Sequence, residues 1–336
     1  MYGKFIILGS ILVTLTAQAT EEIPTTKRSK IFFSKLLEDL KQVQHKYKEN
    51  SHTDTKPIKI AILGDQGFNE RTRKILEMVK KEGSELLIIN GDFDCTDSPK
   101  KWKDIHAKIL GKDFPIIPVA GNHDIKKWDE YKKVIKEWES NPKLSCSGEA
   151  GEQTICSYKG IKIVSTTPHL FKKYNHTKYI HEAFKSDNTN WKICSWHENM
   201  TDMQTGKKGN ATGWGVYQEC LNNGALITTG HEHAYARTYL LSNIKDKTIA
   251  NYNSIMSLER GQTVVALSGV GGKTARPQLH DGYWWANRQN RDTGLVGGAL
   301  FCTFRVDNEP DKAECYFKDI EQGILDNFIL WNNSNL

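Results

Sequence analysis

Gly230-His231-Glu232-His233-Ala234-Tyr235-Ala236-Arg237 follows a short apolar run, residues 225–228, and sets two imidazoles two positions apart where a strand gives way to a loop. A lone histidine is more often a hydrogen-bonded core residue than a ligand, so the octapeptide gains meaning only from its neighbours. Towards the N-terminus, four more apolar runs end in the same way. Residues 58–63 lead to Gly64-Asp65-Gln66-Gly67, residues 86–89 to Asn90-Gly91-Asp92-Phe93-Asp94, and residues 115–119 to Ala120-Gly121-Asn122-His123-Asp124. Residues 192–195 lead to Trp196-His197, and a sixth run covers 161–165. Stretches with helical spacing, 71–81, 100–110 and 126–139, lie between them. Alternation of this kind predicts an α/β fold with buried strands. In open α/β sheets, ligand sites form where the strands end.

Each junction alone reads as a turn, because Asp and Gly after a strand serve that purpose. Together they bring carboxylates (Asp65, Asp92), an amide (Asn122) and three imidazoles (His197, His231, His233). Hard oxygens with imidazole nitrogens form a ligand set for two metal ions about 3.5–4 Å apart, and one carboxylate can bridge such a pair.

The order and local sequence of the five junctions resemble the calcineurin-like metallophosphoesterases, whose blocks run D-x-G/H, GD, GNH-D/E, H and GH-x-H. The resemblance spans about residues 59–237 and continues more weakly through Gly269-Val270-Gly271-Gly272, which reads as a tight turn. The combination of GNHD with GHEHAYAR is similar to the purple acid phosphatase branch. The resemblance implies a four-layer α/β/β/α sandwich of two mixed sheets flanked by helices, holding two metal ions (Fe, Zn or Mn). Asp65 and His233 are then expected on the first metal, Asn122, His197 and His231 on the second, and Asp92 between both. The implied reaction is hydrolysis of a small phosphate monoester by in-line attack of a metal-bound hydroxide. His123 would meet a phosphoryl oxygen and protonate the leaving group, Asp124 would orient its ring, and Arg237 would be a structural partner. A phosphodiesterase with the same metal core is the near alternative. A catalytically silent binding module of the same fold is the other, and it predicts loss of a metal ligand; all six principal ligands are present.

The chain departs from the purple acid phosphatase pattern at Cys95, where that branch has a metal-bound tyrosine. Other branches place a histidine ligand where Gly67 stands. Cys95 is thus either an added ligand of the first metal or a small buried hydrophobe, and both readings stay open. Beyond His197, Gly206-Lys207-Lys208 replaces further histidines that help bind substrate in plant members.

The whole chain has 336 residues, with 46 basic against 40 acidic residues, a formal balance of +6. The basic residues form no stripe, which argues against a nucleic-acid partner. Lys4, an apolar run over residues 5–15 and Ala17-Gln18-Ala19 read as a signal peptide over 1–19, and so predict a secreted or extracytoplasmic protein. No later run approaches the roughly 20 apolar residues of a membrane span, so no stable membrane insertion is expected. Apolar positions Phe33, Leu36, Leu37, Leu40 and Tyr47 predict a helix within an extension over 20–54, ahead of a catalytic domain over 55–336. Seven cysteines in an exported chain imply disulfides, and proximity pairs Cys146 with Cys156, Cys194 with Cys220 and Cys302 with Cys315, leaving Cys95 over. Asn175, Asn199, Asn210 and Asn332 start glycosylation sequons. Nothing in the sequence specifies an oligomeric state.

Overall fold

The computed structural model describes residues 56–332, which belong to one compact unit, Thr55–Leu336. The expected signal peptide and N-terminal helix lie outside the described residues. In chain order the elements begin β1 (Ile58–Leu63), α1 (Glu70–Lys81), β2 (Leu86–Asn90), α2 (Pro99–Leu110), β3 (Ile116–Val119) and α3 (Trp128–Glu139). They continue β4 (Ser145–Glu149), β5 (Gln153–Tyr158), β6 (Ile161–Thr166), α4 (His176–Phe184), β7 (Trp191–Ser195), α5 (Trp214–Asn222) and β8 (Leu226–Thr229). The remaining strands are β9 (Tyr235–Thr238), β10 (Leu240–Asn243), β11 (Thr248–Asn251), β12 (Ile255–Leu258), β13 (Val265–Ser268), β14 (Trp285–Gln289), β15 (Gly298–Phe304), β16 (Lys312–Asp319) and β17 (Gly323–Asn332).

Local chemistry sets the helix ends. The side chain of Asn69 accepts the amide of Thr72 at the start of α1, with Glu70 in the first turn and Lys80 and Lys81 in the last, complementing the helix dipole. Proline at the first position opens α2, where its missing N–H costs nothing.

Two mixed sheets stack face to face. One runs β12-β17-β16-β15-β1-β2-β3 and the other β14-β9-β13-β8-β7-β6-β5-β4. The first half of the chain therefore meets the last: β1 pairs parallel with β2 on one side and antiparallel with β15 on the other. Alternation along β1 sorts its residues between two cores. Ile58, Ile60 and Ile62 pack between the sheets with Ile161, Ile163 and Ile193. Ala61 and Leu63 face the opposite way, into a cluster with Ile75 and Val79 of α1, Trp102 of α2 and Tyr131 and Ile135 of α3. A third cluster joins the outer face of the second sheet to Ile180 and Phe184 of α4 and Val216 and Tyr217 of α5. The result is the expected four-layer α/β/β/α sandwich. Cutting one such buried aliphatic side chain to alanine costs roughly 2–5 kcal/mol.

Cys146–Cys156 bridges β4 and β5, Cys302–Cys315 bridges β15 and β16, and Cys194–Cys220 ties β7 to α5, the pairing that proximity had proposed. Cys95 is free. Arg237 and Tyr235 of β9 both reach Asp326 of β17, with Arg237 Nε and the Tyr235 hydroxyl each 2.7 Å from Oδ2 and Arg237 Nη2 3.0 Å from Oδ1. This buried ion pair staples the two sheets, so Arg237 is structural.

The chain bends at residues 271–273 and there hydrogen-bonds to the loop after β1: the Gly271 amide donates to Gly64 O at 2.8 Å and the Lys273 amide to Asp65 O at 2.9 Å. Glycine is needed there for close approach, since a Cβ on Gly272 would fall 2.0 Å from Gln66 O and from Thr72 Oγ1.

Candidate metal centre

Every residue expected on a metal follows a strand: Asp65 β1, Asp92 β2, Asn122 β3, His197 β7, and His231 and His233 β8. Because β1, β2 and β3 run parallel in one sheet and β7 and β8 run parallel in the other, their C-terminal ends deliver these side chains to one edge of the sandwich. Asp65, Asp92 and His231 have left-handed backbone, with φ of 55°, 54° and 72°. Such a conformation costs a non-glycine residue on the order of 1–3 kcal/mol and tends to persist at functional sites. Local hydrogen bonds hold it: Asp65 N donates to Gly91 O at 3.0 Å, and His231 N donates to Asp65 Oδ2 at 2.7 Å.

Two groups of donor atoms result. In one, His197 Nε2 lies 3.1 Å from His231 Nδ1, 3.2 Å from Asn122 Oδ1 and 3.3 Å from Asp92 Oδ1. His197 Nδ1 donates to Asn90 O at 2.7 Å, which fixes the tautomer and turns Nε2 inward. In the other, His233 Nε2 lies 3.4 Å from Asp65 Oδ1, while His233 Nδ1 donates to Thr274 O at 3.2 Å.

Electrostatics show strain in the first group. Burial would lower the basicity of His197, but Asp92 outweighs it and pushes the imidazole up to about 10. Burial and the charge on His197 push His231 far down. Burial would raise the Asp92 carboxyl, yet His197 holds it well below the usual carboxylate range. In the second group, Asp65 Oδ1 is fully buried and has no hydrogen-bond partner, with His233 Nε2 facing it at 3.4 Å. A buried carboxylate oxygen without a donor is costly unless a cation lies against it. The donor set of both groups fits metal ions.

His123 sits beside the first group with its side chain 59% exposed and Nε2 4.0 Å from Asp92 Oδ2. Asp124 departs from expectation. Its Oδ2 accepts the amides of Gly121 at 2.7 Å and Asp92 at 3.0 Å, and its Oδ1 accepts that of Phe93 at 2.9 Å. With both oxygens turned to main-chain amides, Asp124 clamps the Asp92 and Asn122 loops together and does not orient the His123 ring. Gly121 permits the clamp, for a Cβ there would meet Asp92 N at 2.2 Å. Cys95 is half-buried with left-handed backbone, and burial, then the Asp92 charge, push its thiol up to about 12.

Residues 58–235, more than half of the chain, match the model of the calcineurin-like phosphoesterase family. The chain belongs to that family. Among solved structures, purple acid phosphatase PPD1 from yellow lupin (Lupinus luteus) seeds is similar with a TM-score of 0.64 at 13% identity, covering 82% of this chain and 54% of the lupin protein. The chain therefore spans about half the length of that relative. GAP50, the anchor in the inner membrane complex of Plasmodium, gives a TM-score of 0.55 at 10% identity, covering 83% of this chain and 90% of its own. PhoD gives 0.53 at 9%, covering 82% and 70%. At such identities the likeness is one of fold. No curated protein sequence matches the chain.

Sequence reasoning missed the groups that stand behind the ligand set. Asn90 and Thr274 act through main-chain carbonyls, which carry no residue signature. Glu198 directly follows His197 in the sequence, and that adjacency was the available signal; its Oε2 lies 2.7 Å from Nδ1 of His169, from the loop after β6.

Proposed function

We propose that this chain is an exported phosphoesterase that holds two metal ions and hydrolyses phosphate monoesters. The observation that carries the reading is the orphaned, fully buried oxygen of Asp65 facing His233, next to the converging Asp92, Asn122, His197 and His231, in a member of this family. Asp65 and His233 would hold one ion, Asn122, His197 and His231 the other, and Asp92 would serve both. Cys95, three residues after Asp92, is a further candidate for the first ion. When bound, such ions lower the pKa of water and polarise a phosphoryl oxygen.

The chain's own residues supply the rest. The amides of His123 and His231 donate to Asp92 and Asp65 and hold those carboxylates in place. His123, exposed beside Asp92, would give a proton to the leaving oxygen of an ester approaching from solvent; its exposure supports that role. The three disulfides and the N-terminal signal pattern support export.

Elemental analysis of purified protein, combined with a panel of mono- and diesters, tests the reading. Two metals per chain, faster turnover of monoesters, and loss of both metals and turnover in Asp92→Ala are the expected results. Full metal loading with diesters preferred would replace the substrate class. A protein that binds no metal and hydrolyses nothing would be a binding module instead.

A further inference from the structure

The three imidazoles of the centre are not held alike. His197 and His233 each donate Nδ1–H to a main-chain carbonyl, Asn90 O and Thr274 O, so each presents Nε2 to the donor cluster. His231 is reversed: its Nδ1 faces His197 Nε2, and its Nε2 points outward. The charged group found at that outward nitrogen is Glu198 Oε1, at 3.9 Å, longer than a direct hydrogen bond but close enough for its charge to act on the ring. Glu198 is itself locked. Its side chain is 9% exposed, and Oε2 lies 2.7 Å from Nδ1 of His169, whose ring is 46% exposed.

We infer that Glu198, locked by His169, is the positioning residue for His231, acting through its charge where carbonyls hold the other two rings through hydrogen bonds. A carboxylate at the outward nitrogen favours the tautomer with hydrogen on Nε2 and so leaves the Nδ1 lone pair directed at the cation position. Unlike a carbonyl, it also adds negative charge behind the ligand, which strengthens the ligand's donation. The assignment rests on the two-metal reading. It further makes retention of one metal depend on a solvent-facing imidazole contributed by a different loop.

The test uses the full chain stripped of metal with a chelator, then titrated with Zn²⁺ by calorimetry, with ¹⁵N NMR of the histidine rings before metal is added. In wild type, His231 should show the Nε2–H tautomer. Glu198→Ala should mix the tautomers and weaken one of two Zn²⁺ affinities roughly 10- to 100-fold, the usual cost of losing such a partner. Glu198→Gln, which keeps the shape and a polar acceptor without the charge, should restore the tautomer and the affinity only in part. His169→Ala should weaken the same site by a smaller factor, and this surface change keeps the test open if Glu198→Ala does not fold. His181, an exposed histidine 3.2 Å from Glu219 on α4 and α5, is the control, and His181→Ala should change nothing. Two wild-type metals and normal turnover, with tautomer and affinities unmoved in Glu198→Ala or His169→Ala, would overturn this assignment alone. A wild type that binds no Zn²⁺ would remove the two-metal reading and this assignment with it.

Discussion

Asp124→Asn separates a loop clamp from a ring-orienting acid. Asp124 is fully buried and accepts three main-chain amides, two on Oδ2 and one on Oδ1. Asparagine has the same shape but a single acceptor. Its best placement keeps the oxygen on the Gly121 and Asp92 amides and turns the side-chain nitrogen against the N–H of Phe93. That removes one hydrogen bond to a charged acceptor, about 1.5–3 kcal/mol, and strands a buried donor, about 1–3 kcal/mol. Burial, then the neighbouring Asp92 carboxylate, push the Asp124 carboxyl well above its usual range, so neutralising it recovers part of the loss. The net expectation is roughly 2–4 kcal/mol, which for a unit of this size lowers Tm by about 3–7 °C. Scanning calorimetry of the metal-stripped protein reads the first effect. Elemental analysis of the loaded protein should show weakened retention at both sites, because the clamp holds the Asp92 and Asn122 loops alike. An unchanged Tm and full metal content, with a rate loss confined to esters of poor leaving groups, would refute the clamp and return Asp124 to the His123 ring.

His123→Ala should keep its metal while kcat falls by roughly 10²–10⁴, with a smaller loss for nitrophenyl esters that need little protonation; an equal loss for all leaving groups would make His123 a phosphate contact only. Cys95→Ser should weaken retention of one metal, and thiol labelling of Cys95 should be blocked only in metal-loaded protein; equal labelling with and without metal, and full occupancy in the serine variant, would leave Cys95 as packing. Glu139 is pushed up from 4.5 to about 7, first by burial. Its folded pKa is therefore above its unfolded one, so its contribution to stability should decline as pH rises from about 4.5 to about 7, and Glu139→Gln should flatten that part of a stability-versus-pH curve measured by denaturant unfolding.

What was legible in the sequence follows from chemistry that is local along the chain. Apolar runs of strand length, each ending in Gly, Asp, Asn or His, predict both the buried strands and the side where their ends collect. Helices α1 to α3 match their spacing because caps and periodicity act within a few residues. The candidate ligands Asp65, Asp92, Asn122, His197, His231 and His233 were visible for the same reason, and so were three disulfides that close short loops. Only the tertiary structure decided which strands share a sheet: β15 to β17 return to extend β1, a pairing across more than 200 residues that no local pattern encodes. It also set the supporting partners. Asp124 lies beside His123 in sequence, yet its carboxylate is captured by amides of the β2 loop. Glu198 gains its meaning from His169, and residues 269–272 hydrogen-bond to the loop after β1, a contact that no local pattern announces. Such partners are chosen by which buried polar groups remain unsatisfied once the layers close, and that is a property of the packed molecule.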